Sequence, residues 1–133
     1  MCRKCAEQAI EELRAAEVVL QPGLYHVAVR QAHFATELAL KAVLWRHEEH
    51  GVRGHNIVGL LDRLEMRVGT APRNVREGVG ELQAADEVSD YPDASLRAPL
   101  PQFDESDALR FISLAREVLT WIDEIIEQAG NRG

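Results

Sequence analysis

The sequence predicts an all-α fold, an antiparallel up-and-down bundle of four to five helices. Three observations carry that prediction. No segment alternates apolar and polar residues as a half-buried strand would. Apolar residues instead recur at helical spacing, in blocks separated by Gly and Pro. One block, residues 22–51, is much longer than the others and apolar around most of its circumference. A helix of that kind sits centrally and touches several partners.

Taken in order, residues 3–20 read as a first helix. Ala6, Ala9, Ile10, Leu13, Ala16 and Leu20 form one stripe, and Gln21-Pro22-Gly23 breaks it. The long helix follows over residues 22–51, with Pro22 suited to its first turn and Gly51 to the position past its end. At the ordinary rise it would be roughly 40 Å long. On a helical wheel Ala28, Ala32, Ala35, Ala39 and Ala42 fall on one line, spaced 4, 3, 4, 3. Small side chains there let another helix backbone approach closely. One flank carries Val27, Phe34, Leu38 and Trp45, and the other Tyr25, Val29 and Val43. Opposite the alanines run His26, Arg30, His33, Glu37 and Lys41.

After a Gly51-to-Gly54 turn, Ile57, Leu60, Leu61 and Leu64 mark a short helix with Asn56 as its N-cap. Gly69-Thr-Ala-Pro72 ends it. A weaker helix spans residues 73–87, with Val75, Val79, Leu82 and Ala85 inward, and is weakened by Gly78 and Gly80. Residues 88–103 contain three prolines and read as a loop. Asp104 then caps a last helix to about Gln128, Asp107 adds a second carboxylate at its positive end, and Gly130 stops it.

With 133 residues the chain is a single domain, 1–133. No stretch is long and apolar enough to span a membrane, and MCRKCAEQ lacks a signal peptide's apolar core. A cytoplasmic protein with reduced thiols is therefore expected. The net charge of −7 disfavours general binding to nucleic acid, which needs clustered Lys and Arg. All five histidines fall between His26 and His55.

The arrangement resembles the HEPN domain family, small helical-bundle proteins common in prokaryotes. The residues that carry the resemblance begin with Gly23-x-Tyr25-x-x-Ala28 and Gln31-Ala32-x-x-Ala35-x-Glu37-x-Ala39-x-Lys41-Ala42. They continue with Gly54-His55-Asn56-Ile57-x-x-Leu60-Leu61, Tyr91-Pro92-Asp93 and Asp107-Ala108, so that the resemblance covers about residues 6–128. It implies a bundle that usually pairs as a homodimer and works with nucleotides or RNA. It also implies, for many members, a minimal nucleotidyltransferase encoded alongside in a toxin–antitoxin-like pair. Some members are metal-independent ribonucleases that use Arg-x4–6-His. Here no His stands at that spacing after any Arg; Arg46 to His50 and Arg53 to His55 are both too short. The form ending in Tyr is missing too, and Asp90-Tyr91-Pro92 stands where the family often writes Arg-Tyr-Pro. The nucleotidyltransferase's own Gly-Ser and Asp-x-Asp signature is absent.

Several residues read in two ways. Cys2-x-x-Cys5 has the spacing of half a zinc site or a redox pair, but no second ligand pair matches it, and two free thiols is the plainer reading. His47 and His50, one turn apart, could share a metal, or could simply be solvated in a last turn. His55 could contact a phosphate at a helix start or lock its own turn. The stripe of Arg30, His33, Glu37 and Lys41 reads either as a solvent face with i, i+4 pairs or as a polar groove that holds a ligand.

The expectation is a HEPN-like binding or regulatory module without catalysis of its own. It would engage a nucleotide or a partner nucleotidyltransferase, with tentative ligand contacts at Arg30, His33, Glu37, Lys41, His55 and Tyr91. No catalytic residue, metal or cofactor is assigned. The alternatives are a toxin-type ribonuclease with a non-standard His/Arg site and a purely structural interaction protein. The remaining expectation is a homodimer through the second half of the long helix. Phe34, Leu40, Leu44 and Trp45 lie far from the alanine line there, as a patch that a lone bundle would leave exposed.

Overall fold

The computed structural model describes residues 2–20, 23–47, 56–90 and 103–131. Among these are five helices and no strand: α1 (Cys2–Val18), α2 (Tyr25–Arg46), α3 (Ile57–Val68), α4 (Arg73–Asp90) and α5 (Glu105–Asn131). None is long and apolar enough to cross a membrane. The predicted all-α bundle is the observed one, and α2 packs against all four of the other helices.

Local chemistry explains most of the helix ends. Between α1 and α2 the chain turns at Gly23, whose φ of +80° is open to glycine and costly for other residues. Asn56 caps α3 as expected, its side chain accepting from the Gly59 N–H at 3.1 Å. At the other end of α3, Gly69 adopts φ +97° and returns its N–H to the Glu65 carbonyl at 3.0 Å. The α3–α4 corner is clamped further. Glu65 Oε2 accepts from the Ala71 N–H at 2.7 Å, and Arg76 bonds both Asp62 and Glu65. These bonds hold the Glu65 carboxyl below the usual carboxylate range, the Arg76 bond contributing most. Asp104 and Asp107 form a reciprocal capping box on α5, each side chain accepting from the other's N–H at 2.8 and 3.0 Å.

Several boundaries differ from the sequence reading. α2 begins at Tyr25, not at Pro22, and gives way to a C-cap at His47, before Gly51. At 22 residues it is about 33 Å long. α4 continues through residues 88–90, so that part of the expected loop is helical; residues 91–102 lie outside the described residues. α5 runs past Gly130 to Asn131, because one glycine lowers helix propensity without forbidding the conformation.

The five alanines of the α2 line are between 0 and 3% exposed, which confirms that line as a close-packing surface. Ala28, Ala32, Ala35 and Ala39 join Leu40, Val43 and Leu44 of α2, Ile57, Leu61 and Leu64 of α3, Val75, Val79 and Leu82 of α4 and Ala115, Val118 and Ile122 of α5 in one core. Leu40 and Leu44 are fully buried within the chain and therefore leave the patch expected to pair with a second copy. Phe34 is half-buried and Trp45 is exposed.

Candidate functional site

The polar stripe of α2 does not face solvent along its length. His26 and Arg30 are exposed, but one turn further on His33 is 4% and Glu37 3% exposed. Their cover is α4, which brings Gln83 and Asp86 over them. The i, i+4 pairing expected on an exposed face is present at one place, Lys41 Nζ to Glu37 Oε2 at 3.1 Å, with the carboxylate buried.

His33 sits between two acceptors. Gln83 Oε1 accepts from the Ile57 N–H at 2.8 Å, which fixes that atom as the oxygen, and it lies 3.4 Å from His33 Nε2. An amide oxygen only accepts, so Nε2 carries the proton of that long contact. On the other side, His33 Nδ1 lies 3.7 Å from Asp86 Oδ1. Gln83 thereby satisfies one of the orphan N–H groups at the start of α3 and ties α2, α3 and α4 at one point. Nearby, the Thr36 hydroxyl is satisfied within its own helix, donating to the Ala32 carbonyl at 3.0 Å.

Beside this cluster is a groove of about 600 Å³. Val27, Arg30, Gln31, His33, Phe34 and Glu37 of α2 line it. Glu12 of α1 and Asp86 of α4 contribute carboxylates. The volume is within the range of small-molecule sites, about 300–1,000 Å³. Its charged lining is Glu12, Glu37 and Asp86 with Arg30, and Glu37 is paired with Lys41.

Of the six residues singled out in the sequence, the structure brings Arg30, His33 and Glu37 to one groove and places Lys41 beside Glu37. His55 and Tyr91 lie outside the described residues, as do His50 and the side chains of Cys2 and Cys5. His47 is half-buried at the α2 C-cap. Among the described residues no group of three or more His, Cys, Asp or Glu is placed to hold a metal. Sequence reasoning missed Glu12, Gln83 and Asp86. Gln83 and Asp86 had a signal: they are one turn apart, next to the inward positions Leu82 and Ala85, where polar residues need partners.

The chemistry of this arrangement is mainly cohesive. His33 is 4% exposed, and its ring nitrogens face Gln83 and Asp86. A general acid or base must reach the proton that it moves.

The HEPN domain model matches residues 2–125 of the chain. The crystal structure of TT1696 from Thermus thermophilus has 31% sequence identity and a TM-score of 0.80, covering 92% of this chain and 96% of that one. ST0689, described as an archaeal HEPN homologue, has 26% identity and a TM-score of 0.75, over 95% and 98% of the two chains. A HEPN domain protein from Thermotoga maritima, at 23% identity, shares the fold with a TM-score of 0.74 over 93% and 98%. No curated protein matches the chain. A match over nearly the whole length, on a bundle whose solved counterparts include HEPN proteins, makes this chain a member of the HEPN domain family.

Proposed function

We propose that this protein is a non-catalytic binding and regulatory module that works as a homodimer in the cytoplasm. Its partner is a small nucleotidyltransferase, in a toxin–antitoxin-like pair. The observation that carries this reading is the disposition of the polar residues of α2. His33 and Glu37 are committed to contacts within the chain, with Gln83 and Lys41. The groove beside them is lined by Glu12, Glu37 and Asp86 with Arg30, and Lys41 already pairs with Glu37. It has no surplus of positive charge to hold a phosphodiester or a free nucleotide's phosphates, and protein contact fits it better. The Arg-x4–6-His pattern is also missing from the sequence.

The test has two arms. Labelled single-stranded RNA is incubated with the purified protein in EDTA; the open reading frames beside its gene are read, and a minimal nucleotidyltransferase found there is mixed with the protein and sized. The expected results are intact RNA and a stoichiometric complex. Metal-independent cleavage that disappears in His33→Ala would overturn the reading in favour of a ribonuclease. Failure to form any complex with the nucleotidyltransferase would remove the partner.

A further inference from the structure

Among the described residues, α2 has a second partly exposed face beside the exposed start of its polar stripe. It is the row Val27, Gln31, Phe34, Leu38, Lys41 and Trp45, spaced 4, 3, 4, 3, 4. This is the spacing of a heptad seam, by which one helix packs along another. All six residues are half-buried or exposed, and Trp45, at its end, is 38% exposed. The row reads the same from both ends: apolar, polar, apolar, apolar, polar, apolar.

We propose that this seam is the docking surface for a second copy of the chain, with the two α2 helices antiparallel and the two-fold axis near Thr36. The inference rests on the homodimer reading above and adds its surface and register. In this register Val27 meets Trp45 of the second copy, Phe34 meets Leu38, and Gln31 meets Lys41. An interface on a two-fold axis has to be self-complementary, and this one is. The parallel alternative sets Lys41 against Lys41, like charge on like charge, and Gln31 against Gln31.

Two further observations favour the antiparallel register. The Gln31 amide oxygen is buried and has no hydrogen-bond partner within the chain. Lys41 of the second copy brings an ammonium beside that amide. Its bond to Glu37 uses one of three donors, and the broad terminal torsion of Gln31 lets the oxygen turn to meet it. The groove of about 600 Å³ lies at the Val27, Gln31 and Phe34 end of the seam. In the antiparallel pair that end receives Trp45 of the second copy, so each groove is completed by an indole from the other chain. A large aromatic seated in a pocket is the usual energetic anchor of an interface.

Cysteine cross-linking tests the register. In a Cys2→Ser/Cys5→Ser background, Gln31→Cys and Lys41→Cys are prepared separately and together, then oxidised mildly while light scattering records the mass. An antiparallel pair cross-links Gln31→Cys to Lys41→Cys, whether mixed or on one chain. Neither variant cross-links with itself, because like positions lie ten residues apart along the axis, about 15 Å, beyond disulfide reach. A second pair, Val27→Cys with Trp45→Cys, behaves in the same way and guards against a variant that fails to fold. Self-linking of Gln31→Cys would show a parallel pair and overturn the register. A dimeric mass with no cross-link in either pair would overturn the seam while leaving the homodimer standing. A single-chain mass in the unsubstituted protein would overturn both.

Discussion

Two glycines in α4, two residues apart, have opposite surroundings, and their alanine variants test the helix packing directly. A glycine in a helix interior costs about 0.8–1.0 kcal/mol relative to alanine, through backbone entropy. At Gly80 a Cβ would have nothing within 4 Å, so Gly80→Ala keeps that gain and should stabilise the protein by about 1 kcal/mol. At Gly78 the same Cβ would lie 3.3 Å from Leu114 Cδ2 and 3.5 Å from its Cβ. Leu114 of α5 must then shift by a few tenths of an ångström, and that crowding offsets most of the propensity gain. Gly78→Ala should therefore be close to neutral, at least about 0.5 kcal/mol below Gly80→Ala. Urea unfolding of both variants at one chain concentration, with unchanged slope, gives the comparison. Equal stabilisation by the two variants, or destabilisation by Gly80→Ala, would refute the placement of α4 against α5.

Ala35 is fully buried on the α2 line, so Ala35→Leu should destabilise by about 1–3 kcal/mol in urea melts, and a loss of only a few tenths would put that line at the surface. Asp104→Ala should cost about 1 kcal/mol by removing one half of the α5 capping box, with Asp104→Asn recovering most of it. The Glu65 carboxyl is held below its ordinary range by Arg76 and the Ala71 N–H. Its charge therefore contributes stability above the unfolded value of about 4.3, and that contribution is lost as the pH falls through the lower folded value. Glu65→Gln should lose about 1 kcal/mol at pH 7 and progressively less below about pH 4. The same deficit at both pH values would assign the role of Glu65 to shape rather than charge.

Much of the fold was legible because helix chemistry is local. Asn56 and Asp104 announced their caps, and the alanine spacing announced a close-packing line. The helix ends were harder, since Gly130 and the residues after 87 required knowing what the helix packs against. The candidate site was half legible. Periodicity sets His33 and Glu37 on one stripe, but it does not say which side of a helix its neighbours cover. α4, weakened by two glycines, supplies that cover through Gln83 and Asp86. The same ambiguity moved the partly exposed face. Val27, Phe34, Leu38 and Trp45 were visible as one flank of the wheel, and only the placement of the other helices shows that this flank is partly covered. Leu40 and Leu44, nearby on the sequence, turn inward.

A second copy packed on this flank underlies both the homodimer and its seam. Trp45 is its most exposed large residue, at 38%, and Trp45→Glu places a carboxylate there. The decisive measurement is the solution mass by light scattering at micromolar concentration, for the unsubstituted chain and for Trp45→Glu. About twice 14.9 kDa is expected for the first and a shift toward 14.9 kDa for the second. A single-chain mass for the unsubstituted protein, or a Trp45→Glu variant that remains fully dimeric, would contradict that pairing.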